Sequence, residues 1–450
     1  MRLFPIALGP FSQLRRHLLS AAALAATWCS NRWAWSSPMA AAPAVWPSVF
    51  ELAPDRARIH LLARQPGRYQ VRLDTQAPSA QSLATGQWGR ALTPLVLDAG
   101  RSGVVEVDGL RRGQTLVYAV YGGERLASGP HRVRTLPEPG ASFTLMFSGD
   151  LDERHRPFDR MFSVPAVSAA DFGLLLGDTM YADIPKREFE PTAEHYRHKA
   201  IAVRSDPSLA AWLATHPTWA IWDDHEIENG ANGAHPGLAA AATVFGELWA
   251  PRGALADAFH RVVRLHADVD LFILDTRRWR SPQSDPAGPG KTMLGPAQKG
   301  WFVDAFSRSQ ARFRLVATSV PFHGGSDDSW GNYADERDEL LALFRRETRA
   351  SDCAVVLLSA DYHYAREWPR SVRHGIHELT VGPMAAFLPF ERTPSLRERH
   401  TGRDYFVFGD RENVGLLDYD PTRAVLTLRV VDRDGIERYR RTIEAGRRRM

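Results

Sequence analysis

Four apolar runs in this chain end in groups that bind cations or move protons. Ser142 to Asp152 (SFTLMFSGDLD), Asp171 to Asp183 (DFGLLLGDTMYAD), Trp219 to Glu226 (WAIWDDHE) and Cys353 to Tyr364 (CAVVLLSADYHY) pass from apolar residues to Asp, or Asp with His, within a residue or two. A short apolar run closed by Gly or a carboxylate reads as a buried parallel strand. In open α/β sheets the chemistry stands just beyond the carboxyl ends of such strands. Acids gathered there repel one another unless a counter-charge lies between them. Metal ions are the usual remedy, and a mixed Asp/His/Tyr set suits hard or borderline cations. The pattern predicts a two-metal hydrolase.

The candidates divide by position. Asp150 and Asp152 share a face only while the backbone stays extended, so one can ligate while the other caps the helix that follows. Asp178 is the candidate bridging carboxylate. Tyr181 either reaches the same metal, favouring a trivalent ion, or packs at the rim. In Trp222-Asp223-Asp224-His225-Glu226, successive charges after a strand are costly to desolvate unless paired or coordinated. Asp224 is assigned to the second metal, and His225 to charge stabilisation or protonation of the leaving oxygen. Asp361 and His363 offer two ligands on one extended face. Arg277, in LFILDTRRWR, either grips a phosphate oxygen bidentately or pairs structurally with Asp275. His323 is open between ligand, substrate contact and neither. His195, His198, His374 and His377 are read as non-catalytic.

Two different frames are expected to carry these groups. From 45 to 136, alternating runs such as Ala57, Ile59, Leu61 and Tyr69, Val71, Leu73, cut by Gly, Pro and Asp, predict a small β-sandwich without chemistry of its own. LPEPGA (Leu136 to Ala141) reads as a linker. From 142 to about 445, strand and helix patterns alternate, predicting an α/β layered domain. Strands fall near 143–148, 172–176, 218–222, 261–266, 269–274, 312–319 and 353–359, with a β-rich tail from 404. Helices fall near 157–169, 192–203, 206–214, 237–249, 296–307 and 334–348. The loop from Arg277 to Leu294 is long for a compact domain.

Residues 1–42 have the layout of an export signal: Arg15-Arg16, an apolar stretch from His17 to Trp28, and small residues at Ala40-Ala41-Ala42. LRRHLL resembles a twin-arginine signal. The stretch is short for a membrane span, so an exported, periplasmic or secreted protein is expected, with no stable span once the signal is removed. The net charge is +4. The leader carries four arginines and no acid; without it 52 basic face 52 acidic side chains. The basic balance is therefore no signal for nucleic acid. Of the two cysteines, Cys29 lies in the leader and Cys353 in an apolar strand, so no internal disulfide is expected.

FSGD, LGDTMYAD, WDDHE, LDTRRWR, MLGPAQKGWF, SVPFHGGSDDSWGNYADER, LLSADYHY and IHELTVGP occur in an order that resembles the alkaline phosphatase D (PhoD-like) branch of the metallophosphatases, over nearly the whole chain. The resemblance implies a four-layer α/β/β/α catalytic domain preceded by a fibronectin type III-like β-sandwich. It also implies a two-metal centre and hydrolysis of phosphate esters by water activated between the ions. The substrate would be a small phosphate ester or a phosphate-containing polymer. GDxxY and the closing DxH are also similar to the purple acid phosphatase pattern, in which the Tyr binds ferric iron. Residue by residue, the resemblance carries Asp178, Tyr181, Asp224, His225, Asp361 and His363, and iron and/or calcium as the ions, with zinc or manganese as alternatives. One departure stands out: Ser148-Gly149-Asp150 replaces the Ser-Cys pair of family members, so that Asp150 supplies a carboxylate. Ala360 also stands where the last motif usually has Gly. The competing readings are an exported binding protein with a degenerate metal domain, and a metal-dependent hydrolase of another bond. The second lacks an HExxH pattern.

Overall fold

The computed structural model describes residues 43–253, 258–326, 328–367, 376–392 and 406–445. The leader expected at 1–42 lies outside them, as does His374. In the first part of the chain the strands are β1 (Val45–Phe50), β2 (Arg56–Ala63), β3 (Gly67–Asp74), β4 (Arg90–Ala91), β5 (Leu95–Leu97), β6 (Ser102–Asp108), β7 (Thr115–Gly122) and β8 (Arg125–Arg134), with one helix, α1 (Ala80–Thr85). The second part begins with β9 (Phe143–Ser148), α2 (Asp159–Phe162), α3 (Pro165–Ser168), β10 (Phe172–Leu176), α4 (Ala193–Arg204), α5 (Pro207–Thr215), β11 (Thr218–Ile221) and α6 (Leu238–Trp249). It continues through β12 (Arg261–His266), β13 (Val269–Ile273), α7 (Gly295–Arg308), β14 (Phe313–Ala317), α8 (Ala334–Ser351), β15 (Ala354–Ser359), β16 (Ala365–Glu367), β17 (Ile376–Thr380) and α9 (Pro389–Arg392). β18 (Phe406–Phe408), β19 (Asn413–Asp420), β20 (Val425–Asp432) and β21 (Glu437–Glu444) complete it.

Most of these elements follow the sequence pattern, and the fold is mixed α/β. A nine-stranded sheet runs β21-β20-β19-β9-β10-β11-β1-β2-β6, and a seven-stranded one runs β12-β13-β14-β15-β17-β16-β18. Strand period two divides their side chains between two faces. On one face Leu145, Phe147, Leu174, Leu176 and Ile221 of the first sheet join Leu271, Ile273, Leu315, Val356 and Leu358 of the second in a common apolar cluster. The intervening Met146, Leu175 and Ala220 instead pack with Tyr196, Leu213 and Phe245 from α4, α5 and α6. Likewise Phe272, Val316 and Leu357 pack with Phe302, Phe306, Leu340 and Phe344 from α7 and α8. Each such side chain contributes about 1.5–3 kcal/mol of burial, which fixes the strands on which the site stands. α5 shows local sequence agreeing with this frame: Asp206 caps it by accepting from the Ser208 and Leu209 N–H groups, with Pro207 in its first turn.

Two expectations need correction. The helix expected over 157–169 is two short turns, α2 and α3, because Pro165 cannot donate within a continuous helix and starts a new one. The region 45–136 is also not set apart as its own sandwich. β1 pairs parallel with β11 (Phe50 opposite Thr218), so β1, β2 and β6 form one end of the nine-stranded sheet. Only β3, β4, β5, β7 and β8 form a separate five-stranded sheet, and its Leu73, Tyr118 and Val133 share the common core with Val49, Ile59 and Val107. No helix among the described residues is long and apolar enough to cross a membrane.

Candidate metal centre

β9, β10, β11 and β15 stop one or two residues before their acids, and the backbone there is forced. Asp150, Asp178, Asp361 and His363 all have positive φ, at 65°, 49°, 70° and 58°. Left-handed backbone costs an L-residue roughly 1–2 kcal/mol, and such strain persists where the surroundings over-determine it. Here the strand ends are stitched together. Leu151 N–H donates to Asp178 O (2.7 Å) and Asp150 N–H to Gly177 O (3.3 Å). Gly177, at φ +98°, has no room for a side chain, since a Cβ would sit 2.5 Å from that of Asp223. Glu226 is the buried clasp. Its carboxylate accepts from the backbone N–H of Asp178 (3.0 Å), Thr179 (2.6 Å) and Asp223 (2.7 Å), and from the Thr179 hydroxyl (2.6 Å).

Three sets of side chains bring ligand atoms within 4.8 Å of one another: Asp150, Asp178 and His363; Asp178, Asp224 and His225; and Asp178, Asp223, Asp224 and Asp361. Asp178 belongs to all three. The donor set fits cations on several counts. Both carboxylate oxygens of Asp150, one of Asp223 and one of Asp224 are buried without a hydrogen-bond partner among the described residues, a costly arrangement unless something positive lies between them. Gly382 backs Asp150, with space for no Cβ beyond 2.6 Å from Asp150 Oδ2. His363 Nδ1 lies 2.8 Å from the Phe387 carbonyl. A carbonyl only accepts, so Nδ1 carries the proton and Nε2 keeps its lone pair for ligation. Nε2 is 2.8 Å from the Tyr181 hydroxyl and 3.1 Å from Asp150 Oδ1.

The electrostatics agree. Burial, then Asp224, Asp223 and Asp150, push the Asp178 carboxyl well above its usual range. Burial, then Asp328, Asp223 and Asp224, do the same to Asp361. Asp223 is raised to about 7 by burial, against Arg277 and with Asp224. Burial and the same acids hold the Tyr181 phenol well above its ordinary value. Added positive charge at the centre would favour the ionised form of each of these groups.

The structure brings Asp150, Asp178, Tyr181, Asp224, His225, Asp361 and His363 to one place. His225 packs against Tyr181 with ring centroids 4.2 Å apart and the planes tilted by 32°, and its Nδ1 is 2.6 Å from Asp183 Oδ1. That leaves Nε2 to the centre. Burial alone would lower the His225 pKa, but Asp183, Asp224 and Glu226 raise it to about 9. Arg277 departs from its expected role. Its guanidinium is wholly buried and spent on protein acceptors: Nε on Asp223 Oδ1 (2.5 Å), Nη1 on Asp328 Oδ1 (2.9 Å) and Ala231 O (3.1 Å), Nη2 on Asp328 Oδ2 (2.5 Å). Four of its five N–H groups are used, and Nη2 also stands 3.7 Å from Asp224 Oδ1, so no pair of N–H groups is left for a bidentate grip on phosphate. Asp275 instead accepts from the Arg277 backbone N–H (3.0 Å). His323 Nδ1 is held 2.5 Å from Glu378 Oε2, and His323 is in none of the three ligand sets. Sequence reasoning passed over Asp183, Asp223, Glu226 and Asp328. The first three lie inside LGDTMYAD and WDDHE, where their spacing to the assigned acids was the only available signal.

Such a cluster on such a frame defines a class: α/β proteins that collect cation-ligating groups at the ends of parallel strands. Within it, the PhoD-like phosphatase family model matches residues 153–388, and the chain belongs to that family. Alkaline phosphatase D of Bacillus subtilis (strain 168) is 25% identical over 314 residues, covering 58% of this chain and 52% of that protein. The chain thus matches about half the length of this curated relative. A solved structure of PhoD aligns over 92% of this chain and 94% of its own, with a TM-score of 0.73 and 18% identity, and so shows the shared fold.

Proposed function

We propose that the chain is a phosphoric ester hydrolase whose centre binds two metal ions, acting on phosphomonoesters, phosphodiesters or both. The observation that carries this reading is the set of buried carboxylate oxygens around Asp178 that have no hydrogen-bond partner among the described residues. Family membership supports ester hydrolysis, and the two sheets packed back to back between helices support the α/β/β/α reading. Asp150, Tyr181 and His363 would hold one ion, Asp224 and Asp361 the other, with Asp178 between them. Iron or calcium follows from the family resemblance; the all-oxygen-and-imidazole donor set also suits zinc or manganese. Bound there, the ions would supply Lewis acidity and a water of lowered pKa. The protein's own part is to orient and to move protons. Glu226 fixes the Asp178 and Asp223 backbones. Asp183 holds His225 with Nε2 toward the centre, placed to give a proton to the leaving oxygen. Export through the Arg15-Arg16 leader remains part of this reading.

The test is elemental analysis of purified protein together with p-nitrophenyl phosphate and bis-p-nitrophenyl phosphate assays on one preparation. Two equivalents of metal with turnover lost to chelation and restored by metal is the expected result. Metal-loaded protein inert toward both esters would favour a binding protein instead.

A further inference from the structure

With Arg277 consumed by its neighbours, the guanidinium expected to meet the phosphoryl oxygens has to come from elsewhere in the chain. Arg154 is placed for it. Asp152, two residues past Asp150 and in neither helix nor strand, is wholly buried, and its N–H donates to Ala385 O (2.9 Å). Its carboxylate accepts from the Arg154 backbone N–H (2.9 Å) and from Arg154 Nε at both oxygens (2.9 and 3.0 Å), and Nη2 closes the pair. That grip uses one edge of the guanidinium. The other amino nitrogen, Nη1, has no acceptor among the described residues, and the side chain is 49% exposed. The segment carrying the pair is tied to the centre, since the intervening Leu151 donates to Asp178 O. Arg154 and Asp152 both lie within electrostatic reach of the Tyr181 hydroxyl. A buried carboxylate that orients a half-exposed guanidinium beside such a centre suits phosphate recognition.

We infer that Arg154 is the substrate-binding residue for the phosphoryl oxygens, and that Asp152 is a positioning residue that aims it. This inference rests on the ester-hydrolase reading for its kinetic consequences, but not for its binding ones. Arg154 contributes a charge-assisted hydrogen bond through Nη1, and a lysine in its place could not be held along one edge and present the other. Arg156 offers the contrast two residues on: its Nη1 donates to Ala202 O and the Ser205 hydroxyl, away from the pair.

The experiment compares full-length, metal-loaded wild type with Arg154→Ala, Arg154→Lys, Asp152→Asn and Arg156→Ala. Inorganic phosphate binding is measured by calorimetry, metal content by elemental analysis, and p-nitrophenyl phosphate kinetics alongside. Losing one charge-assisted hydrogen bond weakens phosphate binding by about tenfold to a hundredfold. That loss is expected in Arg154→Ala, with metal content unchanged and KM rising more than kcat falls. Arg154→Lys recovers only part, Asp152→Asn moves the same way, and Arg156→Ala stays at wild type. Phosphate affinity in Arg154→Ala within twofold of wild type overturns the inference, as does a loss explained by missing metal. Should wild type bind metal and phosphate yet hydrolyse nothing, the ester-hydrolase reading fails while the phosphate measurements still decide the role of Arg154.

Discussion

The two ends of β9 and β10 carry acids of the same kind in opposite states. At the amino ends, Asp171 accepts from Arg134 and from the Thr144 N–H (2.9 Å), while Asp418, opposite Thr144 on β19, accepts from Arg429 Nε (2.6 Å) and the Thr144 hydroxyl (2.7 Å). At the carboxyl ends, Asp150, Asp223 and Asp224 keep buried oxygens with no hydrogen-bond partner among the described residues. Aspartates stand at both ends, so residue type alone does not distinguish them. What does is whether the protein neutralises its own charge. Where it does, the acid holds the fold; where it declines to, the deficit is reserved for something that arrives from outside.

This contrast can be broken from either side. Arg277, wholly buried between Asp223 and Asp328, should cost about 3–5 kcal/mol of stability when replaced by Ala, since buried Asp223 loses its guanidinium and Asp328 keeps only that of Arg280. Arg134, at 62% exposure beside Asp171, should cost under about 1 kcal/mol; urea unfolding of the two variants measures both. Asp178→Asn should lower turnover by at least about a hundredfold, the scale of a lost transition-state charge contact, and reduce metal content. Asp171→Asn should change turnover less than twofold, and equal losses in the two would erase the distinction. Asp183→Asn, which frees His225, should cost about ten- to a hundredfold in metal affinity or kcat, read by titration and by initial rates.

The smallest expected effect is in pH. Asp178 and Asp361 have folded pKa values raised by burial and by neighbouring acids. Their native forms hold protons that the unfolded chain gives up near pH 4. The stability they contribute is therefore complete below pH 4 and declines as pH rises through the raised values. Metal-free protein should lose melting temperature as pH rises above about 4, and metal-loaded protein should not; calorimetry on both forms checks it. A metal-free protein whose melting temperature stays level over that window would mean the acids already have a partner.

Much of the frame could be read from the sequence because it is local. Phe172 to Leu176 is apolar on both faces and too short for a helix, and β3 buries Tyr69, Val71 and Leu73 in strict alternation. β8 escaped notice because Gly129 and Pro130 interrupt its pattern, and its pairing with β7 shifts register there. The ligand candidates were legible for a similar reason: an acid directly after a buried strand is exceptional on its own. Their partners were not. Arg277 had Asp275 two residues away, yet it closes on Asp328 and Asp223, fifty-one and fifty-four residues away. Nothing in LDTRRWR specifies that choice. The parallel pairing of β1 with β11 likewise joins segments more than 160 residues apart, beyond any pattern visible along the chain.

That pairing bears on how the protein can be handled. A recombinant fragment starting at residue 142 would keep every proposed ligand, yet it would leave β11 as a raw sheet margin, its N–H and C=O groups open to any passing strand. Such margins invite self-association. The amino-terminal strands are thus no detachable module, and trimming them to isolate the chemistry should yield aggregates.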